Sequence, residues 1–223
     1  PACPGWSVAD MVVHLGGVHR WATHLVANRA SEYVSRKTMG LEPPPTDPAE
    51  LPQWFADGAA ALLAALRGTA GDQTIWSWTP DTTARFWSRR QLQETTMHRV
   101  DAELAAGLPA RIDSEVAADG VDELVALWVG IHDLGDRLAE GGHLGDTVHL
   151  HATDREDDGE WTFSVTGDGL TWAHDHGKGA CAVRASASDL LMLLSNRIDP
   201  DAPRVELFGD ADVLDHLRHT VAI

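Results

Sequence analysis

Residues 91–101 of this chain read Gln91-Leu92-Gln93-Glu94-Thr95-Thr96-Met97-His98-Arg99-Val100-Asp101. In the helix predicted here, the 3.6-residue period places Glu94 and His98 one turn apart on one face, where they could bind a divalent metal ion together. By spacing alone a solvated helix face is the simpler interpretation, because such faces are rich in Glu and His. If His98 binds a metal, Asp101 or Arg99 is a candidate to support its ring, since ligating imidazoles usually donate their other N–H to a neighbour.

A third candidate ligand, His14, lies on a predicted helix near the start of the sequence. Ser7 follows a Pro-Gly turn and is predicted to cap this helix, with Asp10 as its capping-box partner. Taken alone, His14 is a hydrogen-bonded histidine beside the apolar stripe of the helix. Joined to Glu94 and His98, it would complete a three-ligand site with positions open for water or substrate, as in catalytic zinc sites. Two more histidines of this helix lie at other angles and are interpreted as surface or supporting residues: His19 and His24.

Three segments together resemble a known family. They are residues 3–21 (Cys-Pro-Gly-Trp-Ser-Val-Ala-Asp-Met-Val-Val-His-Leu-Gly-Gly-Val-His-Arg-Trp), 84–87 (Ala-Arg-Phe-Trp) and 94–103 (Glu-Thr-Thr-Met-His-Arg-Val-Asp-Ala-Glu). In order and spacing they are similar to the mycothiol-dependent maleylpyruvate isomerase family, part of the DinB-like group of metal-binding four-helix bundles. The resemblance extends through the C-terminal region and so covers nearly the whole chain.

The resemblance implies a metal-dependent enzyme that uses a small thiol. It makes His14, Glu94 and His98 the metal ligands, with Zn²⁺ the usual ion and mycothiol the thiol cofactor. In the family reaction the thiol adds to a cis double bond, the bond rotates, and elimination gives the trans product; related proteins transfer the thiol to an electrophile. An arginine of the C-terminal domain assists the site, which by position makes Arg197 the candidate catalytic residue and Arg184 the fallback. A helix-terminal arginine facing water is the simpler interpretation of both.

The predicted fold class is α+β, in two domains. Residues 1–110 are expected to form the DinB-like metal-binding helical bundle. Residues 111–223 are expected to form a small domain with a mostly antiparallel sheet, which the resemblance relates to sterol-carrier folds. Family members carry a first bundle helix before the Pro-Gly turn, where this sequence already begins. We expect its place to be taken by a further segment, a helix of the second domain or a neighbouring subunit.

Hydrophobic periodicity gives the individual elements. In the first domain, helices are predicted over residues 49–66 and 88–106, the second ending at Gly107. One long helix over 113–140 opens the second domain and could pack on the bundle. Alternating patterns and turn residues then predict the remaining elements: strands over 147–152, 161–165, 170–174, 180–185 and 205–208, and helices over 186–196 and 211–221.

Four histidines accompany the predicted strands. His149 and His151 share a face of one strand, and His174 and His176 share a face of another if that strand extends far enough. Either pair could bind a metal ion. Because no carboxylate or cysteine accompanies them at a recognisable ligand spacing, a solvated sheet face is the favoured interpretation.

Composition limits the partners. The excess of 34 acidic over 17 basic side chains argues against a nucleic acid. There is no apolar run of about 18 residues, so no membrane span is expected. Cys3 and Cys181 form no disulfide framework, which suits a reducing cytoplasm, and each is better interpreted as a buried or incidental residue than as a reactive thiol. We therefore expect a small-molecule substrate and a thiol cofactor as partners, and leave a homo-oligomer open.

Two hypotheses from different classes follow. The first is a metal- and thiol-dependent isomerase or S-transferase that acts on a small electrophilic substrate bearing a carboxylate. The second is a non-catalytic regulatory bundle of the same fold that binds a metal, a small ligand or a partner. A metal hydrolase is a weaker third, because an open zinc site can also ionise water.

Overall fold

The first helix, α1 (Val8–Ala27), begins at the predicted capping box. The backbone N–H of Asp10 donates to Ser7 Oγ at 3.2 Å, and the backbone N–H of Ser7 donates to Asp10 Oδ2 at 2.8 Å. These two bonds satisfy amide groups that the first helical turn leaves without partners. The start of the helix is thereby fixed, and with it the position of His14 two turns further on.

Two more long helices, α2 (Leu51–Arg67) and α3 (Ala84–Ala105), pack against α1. A short 3₁₀ turn, Pro48–Glu50, leads into α2. The helix α3 begins at Ala84 rather than at residue 88, because its first turn already buries Phe86 and Trp87. The apolar packing between the helices holds α1 and α3 side by side, and its fully buried members include Ala22, Leu25, Val26, Ile75 and Trp87.

The computed structural model describes residues 3–131 and 133–220. Within them the chain forms two compact units, one reaching Ala110 and the other beginning at Arg111. No helix in the described ranges is both long and apolar enough to cross a membrane.

The second unit opens with two helices, α4 (Ser114–Val129) and α5 (Leu134–Glu140). The prediction of one helix over 113–140 is therefore wrong. Gly130 ends α4, consistent with the helix-breaking tendency of glycine. In the separate helix α5, Leu134 and Leu138 are fully buried.

A five-stranded sheet follows in the described chain, made of β1 (Thr147–Ala152), β2 (Glu160–Thr166), β3 (Gly169–Ala173), β4 (Cys181–Ala185) and β5 (Glu206–Gly209). The strand order is β3-β2-β1-β4-β5, with β1 and β4 parallel and the other neighbours antiparallel. Two further helices complete the unit, α6 (Ala187–Leu194) and α7 (Ala211–Thr220). The predicted α+β class, with a helical N-terminal region and a mostly antiparallel sheet, is confirmed.

Side-chain alternation gives the sheet an apolar and a polar face. Leu150, Trp161 and Phe163 are fully buried. The indole N–H of Trp161 donates to Asp122 of α4 at 2.6 Å, so the apolar face is the one covered by helices. The histidines of β1 project from the opposite face.

Candidate metal centre

Three polar side chains meet where α1 passes α3. The helix α1 supplies His14, and α3 supplies Glu94 and His98. The Nε2 atom of His14 lies 3.6 Å from Oε1 of Glu94, and Nε2 of His98 lies 3.5 Å from the same oxygen. The potential ligand atoms of the three residues all lie within 4.8 Å of one another. The structure thus brings together the three residues that the sequence analysis singled out.

This donor set fits a divalent metal ion. Zn²⁺ binds nitrogen and oxygen ligands at about 2.0–2.1 Å in a tetrahedron, whose edges are then about 3.4 Å long. The two nitrogen–oxygen separations of 3.5 and 3.6 Å are close to such an edge. Two imidazoles and one carboxylate are also a ligand set of catalytic zinc sites, which keep one position for water or substrate.

Asp101 holds the ring of His98. The Nδ1–H of His98 donates to Oδ2 of Asp101 at 2.9 Å, and Asp101 is only 7% exposed. Burial alone would lower the pKa of His98, but the hydrogen bonds to Asp101 and Glu94 and their negative charges raise it to about 9. Of the two predicted supporting residues, Asp101 makes this contact. Arg99 instead pairs with Glu103, with Nη1 and Oε1 2.5 Å apart.

Arg90, which the sequence analysis missed, holds the other oxygen of Glu94. Its Nη2 donates to Oε2 at 2.8 Å, which leaves Oε1 facing His14 and His98. Burial alone would raise the pKa of Glu94, but the nearby rings of His14 and His98 and the charge and hydrogen bond of Arg90 hold that pKa well below its usual range. The carboxylate is therefore ionised, as a metal ligand must be. The available signal was the four-residue spacing of Arg90 and Glu94 on one helix.

The centre is partly exposed to solvent. The side chains of His14, Glu94 and His98 are 32%, 23% and 12% exposed. The ring of Trp6, which is 45% exposed, lies 5.0 Å from the ring of His14. The Sγ of Cys3 donates at 3.5 Å to Oδ2 of Asp101, the same oxygen that accepts from His98. The three donors are thus partly exposed, with an aromatic side chain beside them.

Of the two alternatives for His19, a surface or a supporting residue, the surface one is wrong. His19 is 2% exposed, its Nε2 lies 3.0 Å from Oγ1 of Thr95, and its ring lies 5.2 Å from that of Phe55. Burial lowers its pKa to about 4. His19 is therefore a neutral core histidine at neutral pH.

The two candidate arginines lie in the second unit. Arg197 follows the end of α6, is half-buried, and donates from Nη1 to the carbonyl oxygen of Ser195 at 2.6 Å. Arg184 lies on β4 with an exposed side chain, and its Nη1 donates to Oε2 of Glu206 at 3.2 Å. The role of Arg197 in substrate binding stays a prediction.

The surroundings of the sheet histidines differ from the solvated face that the sequence pattern favoured. A carboxylate, Glu160, does accompany His149, His151 and His176, and each of the three contacts it. The strand β3 ends at Ala173, and the side chain of His174 is directed to Asp122 instead. The strand thus does not extend far enough for His174 and His176 to share a face of it.

Comparisons with known proteins bear on both units. Residues 1–103 match the family described as Mycothiol maleylpyruvate isomerase N-terminal domain, and residues 115–216 match the one described as MDMPI C-terminal domain. No curated protein matches the chain. Among solved structures, one titled "UbiJ-SCP2 Ubiquinone synthesis protein" is 16% identical, with a TM-score of 0.35, over 48% of this chain and 89% of its own.

Proposed function

Because the chain belongs to the mycothiol-dependent maleylpyruvate isomerase family, we propose that it is a metal- and thiol-dependent enzyme, an isomerase or an S-transferase. Its substrate is a small electrophile bearing a carboxylate, and its cofactor is mycothiol or a similar low-molecular-weight thiol. The observation that carries the proposal is the meeting of His14, Glu94 and His98 within 4.8 Å at a partly exposed position. Zn²⁺ is a common ion at such a donor set, and other divalent transition-metal ions also bind it.

The residues around the centre prepare it for this chemistry. A divalent ion held there would supply the positive charge that lowers the pKa of an incoming thiol and keeps it nucleophilic. Asp101 fixes the His98 ring with Nε2 directed toward Glu94, and Arg90 fixes Glu94 with Oε1 directed toward both histidines. Two of the three donors are thus oriented before any ligand arrives, which limits the ordering cost of binding.

Two further assignments complete the proposal. Arg197 binds the substrate carboxylate, for which a guanidinium can supply paired hydrogen bonds. The protein works in a reducing compartment, the cytoplasm, which fits its two cysteines, Cys3 and Cys181, since neither forms a disulfide. Exchanging Arg197 for lysine keeps the charge but removes the paired geometry, so it should raise KM for the substrate without changing the metal content.

The test is turnover of maleylpyruvate with mycothiol, measured before and after chelation and after Zn²⁺ is restored. We expect activity to fall with chelation and return with the ion. Glu94→Gln and His98→Ala should each lower kcat/KM by roughly a hundredfold or more. Arg99→Ala is the matched control, because Arg99 is the neighbour of His98 and pairs with Glu103 instead.

The thiol balance separates the two reactions. An isomerase releases the thiol again, so free thiol stays constant while the trans product forms. An S-transferase consumes one thiol for each electrophile, so a panel of electrophiles is assayed beside maleylpyruvate. Metal binding without turnover of any of these substrates would contradict the proposal and favour a binding protein.

A further inference from the structure

A second group of ligand-type side chains lies on the polar face of the C-terminal sheet. In the β1–β2 pair, His151 is directly opposite Glu160, and His149 lies two residues further along the same face. The Nε2–H of His149 donates to Oε2 of Glu160, and the Nδ1–H of His151 donates to Oε1 at 2.5 Å. The antiparallel register thus places both rings on one carboxylate.

His176 approaches the same carboxylate from the loop after β3. Its Nδ1 lies 3.2 Å from Oε1 of Glu160, and its ring lies 4.9 Å from that of His149. The side chain of Thr162 anchors this loop on both sides of His176. Its hydroxyl donates to the carbonyl oxygen of Asp175 at 3.2 Å and accepts from the N–H of Gly177 at 3.2 Å.

Gly177 is what permits this close approach. A Cβ at this position would lie 2.6 Å from Oγ1 of Thr162, closer than side chains tolerate. The loop is therefore held against β2 by two hydrogen bonds and by a residue without a side chain. His176 is 79% exposed, yet its backbone is fixed on either side.

We propose that His149, Glu160 and His176 form a second metal site, which takes a divalent late transition-metal ion such as Zn²⁺ or Ni²⁺. Their potential ligand atoms lie within 4.8 Å of one another. Imidazole nitrogen is a preferred ligand of these ions, and two imidazoles with one carboxylate leave room for water or a further ligand. This site is separate from the proposed active centre and does not depend on the proposed function.

The surroundings of the three residues suit a cation. Burial alone would raise the pKa of Glu160, but hydrogen bonds from His151, His176 and His149 lower it, so the carboxylate is ionised at neutral pH. His151 holds Oε1 in place. His149 is 8% exposed and His176 is 79% exposed, which gives a rigid inner ligand and an open path from solvent.

A bound ion would link β1, β2 and the loop after β3, because each of them contributes one ligand. An ion bound to the folded state alone stabilises it by mass action. We therefore expect Zn²⁺ to raise the Tm of the protein, in part through this site.

The test is the Zn²⁺ stoichiometry of the full chain after chelator treatment, by isothermal titration and by elemental analysis after dialysis. We expect about two equivalents for the native protein, about one for His176→Ala and about one for His98→Ala, and none for the double variant. His176 is chosen because it is exposed, so its loss leaves the core intact. Glu160→Gln should give the same result as His176→Ala.

His174→Ala is the matched control. His174 lies two residues before His176 in the sequence, and its side chain contacts Asp122 at 3.1 Å rather than the carboxylate of Glu160. This variant should keep both equivalents. The proposal is overturned if His176→Ala and Glu160→Gln bind as much Zn²⁺ as the native protein does. A failure of the proposed active centre would give a different result. In that case His98→Ala would bind as much Zn²⁺ as the native protein, and His176→Ala would bind none.

Discussion

The Nδ1 atom of His98 lies 2.9 Å from Oδ2 of the nearly buried Asp101, and this contact directs the other ring nitrogen toward Glu94. Ligating histidines with such a carboxylate partner are better oriented and more basic. Asp101→Asn keeps the volume of the side chain but removes its charge. We expect it to lower Zn²⁺ affinity at this centre by about tenfold or more.

Competition with a chromophoric chelator measures this affinity, in the His176→Ala background so that one site is observed at a time. Arg99→Ala, on the same helix and paired with Glu103, should bind Zn²⁺ as the parent does. Equal affinities for the Asp101→Asn variant and its parent would show that the contact does not support a ligand.

The raised pKa of His98, about 9, predicts how the metal-free protein responds to alkali. Because the folded-state pKa lies above the unfolded value of about 6.5, this histidine stabilises the fold fully below pH 6.5. The contribution is lost as pH rises through 9. Relative to His98→Gln, the free energy of unfolding of the native protein should fall by on the order of 2 kcal/mol between pH 6 and pH 9.5.

Urea unfolding with chelator present, at both pH values, gives this difference. Excess Zn²⁺ should reduce the pH dependence, since the ion requires the neutral ring. If the free energies of unfolding of the native protein and of His98→Gln changed equally with pH, the ion pairs assigned to His98 would be contradicted.

His19 predicts a response to acid in the opposite direction. Burial lowers its pKa to about 4, below the unfolded value, so its contribution is present above pH 6.5 and is lost as pH falls toward 4. The unfolded chain binds the proton first. Relative to His19→Gln, the native protein should lose on the order of 2 kcal/mol of unfolding free energy between pH 7 and pH 4. Denaturant titrations across that pH range test this prediction. An equal loss of unfolding free energy in His19→Gln would show that the His19 ring is exposed to water.

Two neighbouring glycines of α1 should respond oppositely to alanine. A Cβ on Gly16 would lie 2.2 Å from the ring of Trp54 on α2, whereas one on Gly17 would meet nothing within 4 Å. Gly16→Ala should therefore destabilise the protein by about 1–3 kcal/mol through overpacking. Gly17→Ala should stabilise it by about 0.5–1 kcal/mol, because alanine loses less conformational freedom in a helix. Urea midpoints measure both, and effects of the same sign would contradict the α1–α2 packing.

Local patterns predict much of this molecule because their physical causes are local. The capping box of Ser7 and Asp10 starts α1, and alternation places the strands within a few residues of where they lie. The helical period puts Glu94 and His98 on one face. His14 needed the resemblance as well, since its approach to α3 is a tertiary contact.

Other features depend on contacts between residues far apart in the sequence, which no local pattern specifies. The alternating pattern predicts a second strand that begins at residue 161, one position after Glu160, and so leaves out the carboxylate that joins the sheet histidines. Only the register of β1 and β2 places that carboxylate opposite His151. His19 is missed for a similar reason, because α1 packs against both α2 and α3 and its buried surface is wider than a single apolar stripe.

The metal centre at His14, Glu94 and His98 is tested most simply by the zinc content of dialysed His176→Ala protein, with and without the added His98→Ala substitution. We expect about one equivalent of zinc in the first protein and its loss in the second, with both proteins folded. Retention of zinc without His98, or no uptake by the first protein when Zn²⁺ is supplied, would contradict a metal centre at His14, Glu94 and His98.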